Sequence, residues 1–160
     1  MGKILITGAN GQLGQDIVLE MDNRNLEYLA TDKDDMNIVD KKSIEDIFKN
    51  NEIKSVIHCA AYTAVDLAEE NVDICRRINA EGTRNLAEIC REYNIPLMYI
   101  STDYVFDGLG EKPWEPEDHR EPLNIYGQTK YEGELYVETL VEKYFIVRIS
   151  WVFGDNGKNF

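Results

Sequence analysis

The stretch KILITGANGQLGQDIVLEMDNRNLEYLATD, residues 3–32, decides the fold. Ile4, Leu5 and Ile6 form a short apolar run that stops at Thr7-Gly8. Gly8, Gly11 and Gly14 follow at intervals of three. Ile17, Val18 and Met21 then recur at helical spacing, and Tyr28-Leu29-Ala30 is a second apolar run ending at Thr31-Asp32. The reading is strand, glycine turn, helix, strand. In such a turn one glycine lets the chain reverse, one lets the backbone approach a pyrophosphate and one lets the helix pack on its strand. The helix start adds free N–H groups and the positive end of its dipole. An acid about 20 residues beyond the glycines can accept hydrogen bonds from a ribose diol, and Asp32 lies 18 residues after Gly14.

Outward from this unit, strands and helices keep alternating. Residues 33–40 read as a polar loop, after which Asp40 caps a helix carrying Ile44, Ile47 and Phe48 on one face. Ser55 to Ala61 reads as a buried strand ending in small residues that let a flat ring or sugar approach. Val72 to Tyr93 is the longest helical pattern, with Ile74, Ile78, Leu86, Ile89, Cys90 and Tyr93 as its apolar stripe. Gly82 inside it marks a close packing contact. Asn79, a polar amide in the same helix, reads by itself as exposed or backbone-bonded. Pro96 to Ile100 is a fourth strand, ending at Ser101-Thr102-Asp103, and Phe145 to Ile149 a fifth, followed by Trp151. Between them lie a long irregular stretch, Tyr104 to Leu123, and a helix that Asn124 caps and that runs to about Leu140. Loops of that length in compact domains are usually functional or disordered, and Phe106 and Trp114 argue against disorder. The expected fold class is α/β: a Rossmann-like doubly wound parallel sheet with helices on both faces. Residues 1–160 are expected to form one NAD(P)-binding Rossmann-like domain. Its ligands belong beyond the carboxyl ends of the strands.

Composition narrows the function. The 160 residues carry a net charge of −13 without a basic patch, which argues against nucleic acid and against an anionic membrane surface. Apolar content of 43% is ordinary for a globular domain. Cys59, Cys75 and Cys90 suggest neither a disulfide framework nor a zinc site, and Cys59 reads as a core thiol. No metal site is expected. The chain opens directly on a strand and has no membrane-length apolar run, so a cytoplasmic location is expected.

A second constellation is Tyr126-Gly127-Gln128-Thr129-Lys130. Residues four apart share a helix face. A lysine ammonium beside a phenol favours the phenolate and lowers the tyrosine pKa from about 10. Such a phenol can deliver a proton to a forming alkoxide, and Thr102 can donate a hydrogen bond to the same oxygen.

Together, Thr7 to Gly14 (TGxxGxxG), Tyr126 to Lys130 (YxxxK) and Ile78 to Thr83 resemble the extended short-chain dehydrogenase/reductase superfamily. Ser101 to Gly108, Pro122 to Gly127, Arg148 to Phe153 and Ala60 to Asp66 look like its dTDP-4-dehydrorhamnose reductase family. The resemblance covers the whole chain. It implies reduction of the 4-keto group of a dTDP-6-deoxy-4-ketohexose by NAD(P)H, with Thr102, Tyr126 and Lys130 catalytic. Tyr126 would protonate the alkoxide. Lys130 would lower the Tyr126 pKa and hold the nicotinamide ribose. By the same resemblance Gly8, Gly11, Gln12, Leu13, Gly14, Asp32, Asn37, Ile38, Ala61, Tyr62 and Thr63 touch the cofactor. Thr102, Asp103 and Trp151 touch the sugar, and Asn79 supports the site. Asp32 favours NAD(H), with NADP(H) admissible beside Lys33. Tyr62 stands where relatives often have histidine. Family members continue into a smaller sugar-gripping domain, so the chain is expected to be an amino-terminal portion. The family also binds Mg²⁺ through acids at a dimer contact, and Asp16 falls at one such position. A homodimer is admissible, and no metal is assigned. The alternatives are a nucleotide-sugar epimerase or dehydratase of the same superfamily, or a cofactor-binding regulatory subunit.

Overall fold

A computed structural model describes residues 2–154, 156 and 157; the expected domain limits, 1 and 160, lie outside them. Along the chain run β1 (Lys3–Thr7), α1 (Gln12–Asn23), β2 (Tyr28–Thr31), α2 (Lys41–Asn50) and β3 (Ile53–His58). Two short helices follow, α3 (Val65–Ala68) and α4 (Val72–Arg76), then a π-helical turn (Arg77–Gly82) and α5 (Thr83–Glu92). β4 (Leu97–Thr102), a 3₁₀ turn (Asp103–Val105), α6 (Ile125–Leu140) and β5 (Tyr144–Ile149) complete the described elements.

The five strands form one parallel sheet in the order β2-β1-β3-β4-β5. Leu5 of β1 sits between Leu29 of β2 and Val56 of β3. Because β1 has β2 on one side and β3 on the other, the connections leave it in opposite directions. That switch point opens a crevice at the carboxyl ends of the strands, and the glycine turn lies in it.

Alternation along each strand sorts side chains between the two faces. Leu5, Val56, Leu97 and Tyr99 pack under Ile44, Phe48, Leu86, Ile89 and Val137, which are supplied by α2, α5 and α6. Ile6, with Ile4 and Ile57, packs against Ile17, Val18 and Met21 of α1. Helices thus lie on both faces, unevenly. On β5, Phe145 is 61% exposed and Val147 37%. Among the described residues no helix is long and apolar enough to cross a membrane.

Both expected caps form. The Asp40 carboxylate accepts from the Lys42 N–H at 3.0 Å, and the Asn124 side chain accepts from the Gly127 N–H at 2.7 Å. Gly82 marks a contact: a Cβ there would lie 2.8 Å from Cδ1 of Ile38.

Two expectations need correction. The strand read as reaching Ala61 leaves the ladder after His58. Cys59 N–H instead bonds the Thr7 carbonyl, and Ala60 N–H bonds the Thr7 hydroxyl. The helix read as continuous from 72 to 93 is broken by the π turn. One extra residue in a turn rotates the helix face by about 100°. Ile74 is therefore 50% exposed, and Cys75 is buried in its place. Tyr93 is also 45% exposed, though its ring meets Phe48 edge-on at 5.1 Å.

Candidate active site

A cleft of about 800 Å³ runs along the carboxyl ends of the strands. Its walls include Gly8, Gly11, Gln12, Leu13, Gly14, Asp32, Asn37, Ile38, Ala61 and Thr63 from the expected cofactor set. They also include Thr102, Asp103, Tyr126, Lys130 and Trp151. Of the residues expected at the site, Tyr62 is absent from the walls.

The glycine turn is shaped by its own backbone. Gly8 has φ +65°, a conformation that L side chains rarely adopt, and a Cβ on it would lie 2.7 Å from Ala60 Cα. A Cβ on Gly14 would collide with the carbonyl oxygen of Gly8. Gly11 caps α1 in an extended conformation, with no side chain capping that end. The first-turn N–H groups of a helix have no partner within the helix. This donor set fits the diphosphate of a dinucleotide.

Asp32 is both a wall and a strut. Its carboxylate accepts from Asn10 N–H at 3.0 Å and Lys33 N–H at 2.7 Å, joining the tip of β2 to the glycine turn. A carboxylate has about four acceptor sites, so two bonds leave capacity for a ribose hydroxyl.

Behind the turn, His58 is fully buried between two hydroxyls. Thr7 Oγ1 is 2.7 Å from Nδ1 and Thr83 Oγ1 is 3.0 Å from Nε2. Thr83 donates its proton to the Asn79 carbonyl at 2.7 Å, so it can only accept from His58. Nε2 therefore carries the hydrogen and Nδ1 accepts from Thr7. Burial, with the nearby Lys130 charge, pulls the imidazole pKa down to about 3, so the ring is neutral.

Asn79, read by itself as exposed or backbone-bonded, is neither exposed nor bonded to backbone alone. It is buried within the π turn. Its oxygen accepts from Tyr62 N–H at 2.7 Å, and its amide donates to the Tyr62 carbonyl at 3.1 Å and to Thr129 Oγ1 at 3.2 Å. One side chain thus ties the loop after β3 to α6. This clamp holds Tyr62 by its backbone.

On the other side of the cleft, α6 presents Tyr126 and Lys130 on one stripe. The Tyr126 ring meets Tyr104 edge-on, centroids 5.7 Å apart. Burial raises the phenol pKa, while the neighbouring Thr102 hydroxyl pulls the other way. Lys130 is buried, and desolvation brings its ammonium down to about 7, against the opposing pull of Glu134. Its Nζ donates to the Ile100 carbonyl at 2.7 Å and lies 4.2 Å from the centre of the Tyr99 ring. The expectation that Lys130 depresses the Tyr126 pKa is corrected. The ammonium is turned to a β4 carbonyl, and burial dominates the phenol. A phenol held protonated is nevertheless what proton donation requires.

Thr102 donates to Asp103 Oδ1 at 3.1 Å, and Ser150 donates to Asp103 Oδ2 at 2.7 Å. Trp151 has φ +52° and is 72% exposed. A non-glycine residue in that region is a mark of local strain, and such residues cluster at functional sites. Cys59, expected as a core thiol, is half-buried and lines the cleft, its thiol pushed up to about 12 by burial. Sequence reading missed Tyr104 as a neighbour of Tyr126, although its place two residues after Thr102 was a usable signal.

Residues 2–160 match the family described as RmlD substrate binding domain. The chain belongs to that RmlD family. Among RmlD-type relatives, a dTDP-4-dehydrorhamnose reductase of Aggregatibacter actinomycetemcomitans is 40% identical over 161 residues, covering 100% of this chain and 55% of its own length. The solved dTDP-4-dehydrorhamnose reductase of Clostridium acetobutylicum superposes with a TM-score of 0.95 at 45% identity, covering 99% of this chain and 56% of that one. The Bacillus anthracis enzyme of the same name, solved in complex with NADP, gives 0.95 at 41% identity over 99% of this chain and 57% of its own. The RmlD chain described here spans about half the length of the curated relatives it matches.

Proposed function

We propose that this chain is the cofactor-binding, proton-donating portion of a reductase. The reaction converts dTDP-4-dehydro-6-deoxy-L-mannose (dTDP-4-dehydrorhamnose) to dTDP-L-rhamnose. The observation that carries the reading is the single cleft shared by the glycine turn and the Thr102, Tyr126 and Lys130 side chains. The reductase names of the relatives support it. A bound nicotinamide cofactor would supply the hydride to C4 of the sugar. Tyr126 then gives its phenolic proton to the new alkoxide, so ketone, hydride and proton become alcohol. Thr102 donates a hydrogen bond to the keto oxygen, for which its hydroxyl must turn from Asp103. Lys130 holds the ribose next to the nicotinamide, while Asp103 and Trp151 hold the sugar.

Gly8 to Gly14, with Asp32, Asn37, Ile38 and Ala61 to Thr63, would hold the rest of the dinucleotide. NAD(H) is the favoured form, because a 2′-phosphate would stand against the Asp32 carboxylate. The NADP-bound relative supports NADP(H) as a second form. A homodimer and a cytoplasmic location belong to the same proposal.

The test is to mix the protein with NADH and the ketosugar and follow NADH absorbance. Stoichiometric loss, with dTDP-rhamnose formed, is expected. Sugar conversion without net NADH loss would point to an epimerase or dehydratase. Cofactor binding without any conversion would point to a regulatory subunit. Repeating the binding step with NADPH tests the cofactor preference, expected to favour NADH.

A further inference from the structure

The irregular stretch after β4 has an anchor that the proposed chemistry leaves unused. Glu134 lies on α6 one helical turn beyond Lys130 and is fully buried. Arg148 of β5 grips it with a fork, Nε to Oε1 at 2.9 Å and Nη2 to Oε2 at 2.9 Å. Arg120, near the end of the irregular stretch, adds a third bond to Oε2 at 2.8 Å and also pairs with Glu138 at 2.7 Å. Arg148 further donates to the Pro116 carbonyl at 2.8 Å, and its guanidinium lies 5.1 Å from the Phe106 ring centre. Phe106 in turn stacks on Trp114, centroids 4.7 Å apart and 2° from parallel.

Among the described residues, the main anchors of the 106–120 segment thus lead to Glu134 and to the Arg148 bound to it, while Arg120 is also held by Glu138 and lies over the Tyr131 ring. The ends of the same stretch flank the cleft. At its start, Thr102, Asp103 and Tyr104 meet Tyr126 and Ser150. At its end, Asn124 caps the helix that carries Tyr126. A segment this long loses much conformational freedom on ordering. Only strong, multiply bonded contacts compensate, and forked arginine–carboxylate pairs are of that kind. Removing one partner leaves a buried charge uncompensated.

We propose that Glu134 is a positioning residue. Through Arg148 and Arg120 it latches the 106–120 segment to α6 and β5, and so sets the sugar-side wall of the cleft around Asp103 and Tyr104. It does not touch the reacting atoms. The role as a determinant of sugar binding rests on the reductase reading; the latch itself does not.

Two variants test it, Glu134→Gln, which keeps the shape without the charge, and Arg120→Met, at the more exposed side of the network. Hydrogen exchange is measured by mass spectrometry on each, with KM and kcat for the ketosugar on Arg120→Met. The expected result is faster exchange in peptides covering 106–120, with β1, β3 and the glycine turn unchanged. For Arg120→Met, KM should rise roughly tenfold or more, while kcat stays within about threefold and NADH affinity holds; Glu134→Gln, which also removes a charge acting on Lys130, is read by exchange alone. Unaltered exchange in both variants overturns the latch, as does a uniform rise across the chain. A fall in kcat at constant KM overturns the positioning role. If the parent protein does not turn over the ketosugar, the reductase reading fails, and the exchange pattern alone still decides the latch.

Discussion

The two halves of the cleft are built from different material. On the side proposed to take the cofactor the groups are backbone: the turn at Gly8 to Gly14 and the open start of α1, braced by Asp32 and by the Asn79 grip on Tyr62. On the opposite side, where the sugar is proposed to sit, they are side chains from the end of β4, the turn after it and α6: Thr102, Asp103, Tyr126 and Lys130. Backbone sites are encoded by what must be missing, a Cβ. Side-chain sites are encoded by what must be present, at positions far apart in sequence. The two halves should therefore fail differently.

The largest expected effect falls on the sugar side. Tyr126→Phe should lower turnover by about 10²–10⁴-fold, the usual worth of a positioned proton donor, without changing NADH affinity. Steady-state rates and a fluorescence titration separate the two quantities, and undiminished turnover would remove Tyr126 as the acid. Next is Gly14→Ala on the cofactor side. The added methyl strikes the Gly8 carbonyl, and relieving such overpacking costs about 3 kcal/mol. Loss of NADH binding together with a lower midpoint of chemical unfolding is expected. NADH affinity equal to wild type would show that the turn is not the backbone cradle described above.

Asn79→Ala sharpens the comparison, because this side chain joins the halves. It removes the bonds that the Tyr62 N–H and carbonyl make to the amide, at about 2 kcal/mol, while the Thr129 hydroxyl keeps its bond to the Tyr126 carbonyl. Urea unfolding measures the loss, and a change within error would mean that water replaces the amide without penalty. The smallest effect concerns Lys130. Its folded pKa, about 7, lies below the unfolded value of about 10.4. Between those values the unfolded chain binds the extra proton, so stability rises with pH across the window. Below about 7 both states are protonated and the full cost of the buried ammonium is felt. Lys130→Met should therefore raise the melting temperature more at pH 6 than at pH 9, by about 1 kcal/mol of difference or more. An equal change at both values would show that the ammonium is not desolvated.

The same contrast explains what the sequence disclosed. The glycine turn, the caps Asp40 and Asn124, and the Tyr126–Lys130 stripe are local patterns, and each is visible in a window of a few residues. The parallel order of the strands follows from their alternation with helices. Ile74 misled because one added residue in the π turn rotates everything before it, and no local pattern marks such an insertion. Ser55 to Ala61 misled because small apolar residues extend a strand pattern just as well as they form a close loop. Glu134 escaped for another reason. Its partners Arg120 and Arg148 lie 14 residues away on either side, on a different segment from Glu134 in each case. The lysine–tyrosine electrostatics were readable only as a possibility of spacing. Whether an ammonium faces a phenol or a carbonyl depends on the depth at which the helix sits over β4.

The imidazole wedged between Thr7 and Thr83 has a consequence for interpreting any acidity series. A ring with both nitrogens committed and a pKa near 3 stays uncharged in every ordinary buffer. The joint of β1, β3 and α5 is thus deaf to the range in which Lys130 answers. A response recorded across neutrality then reports on the occupants and walls of the crevice, while the frame that carries them keeps still.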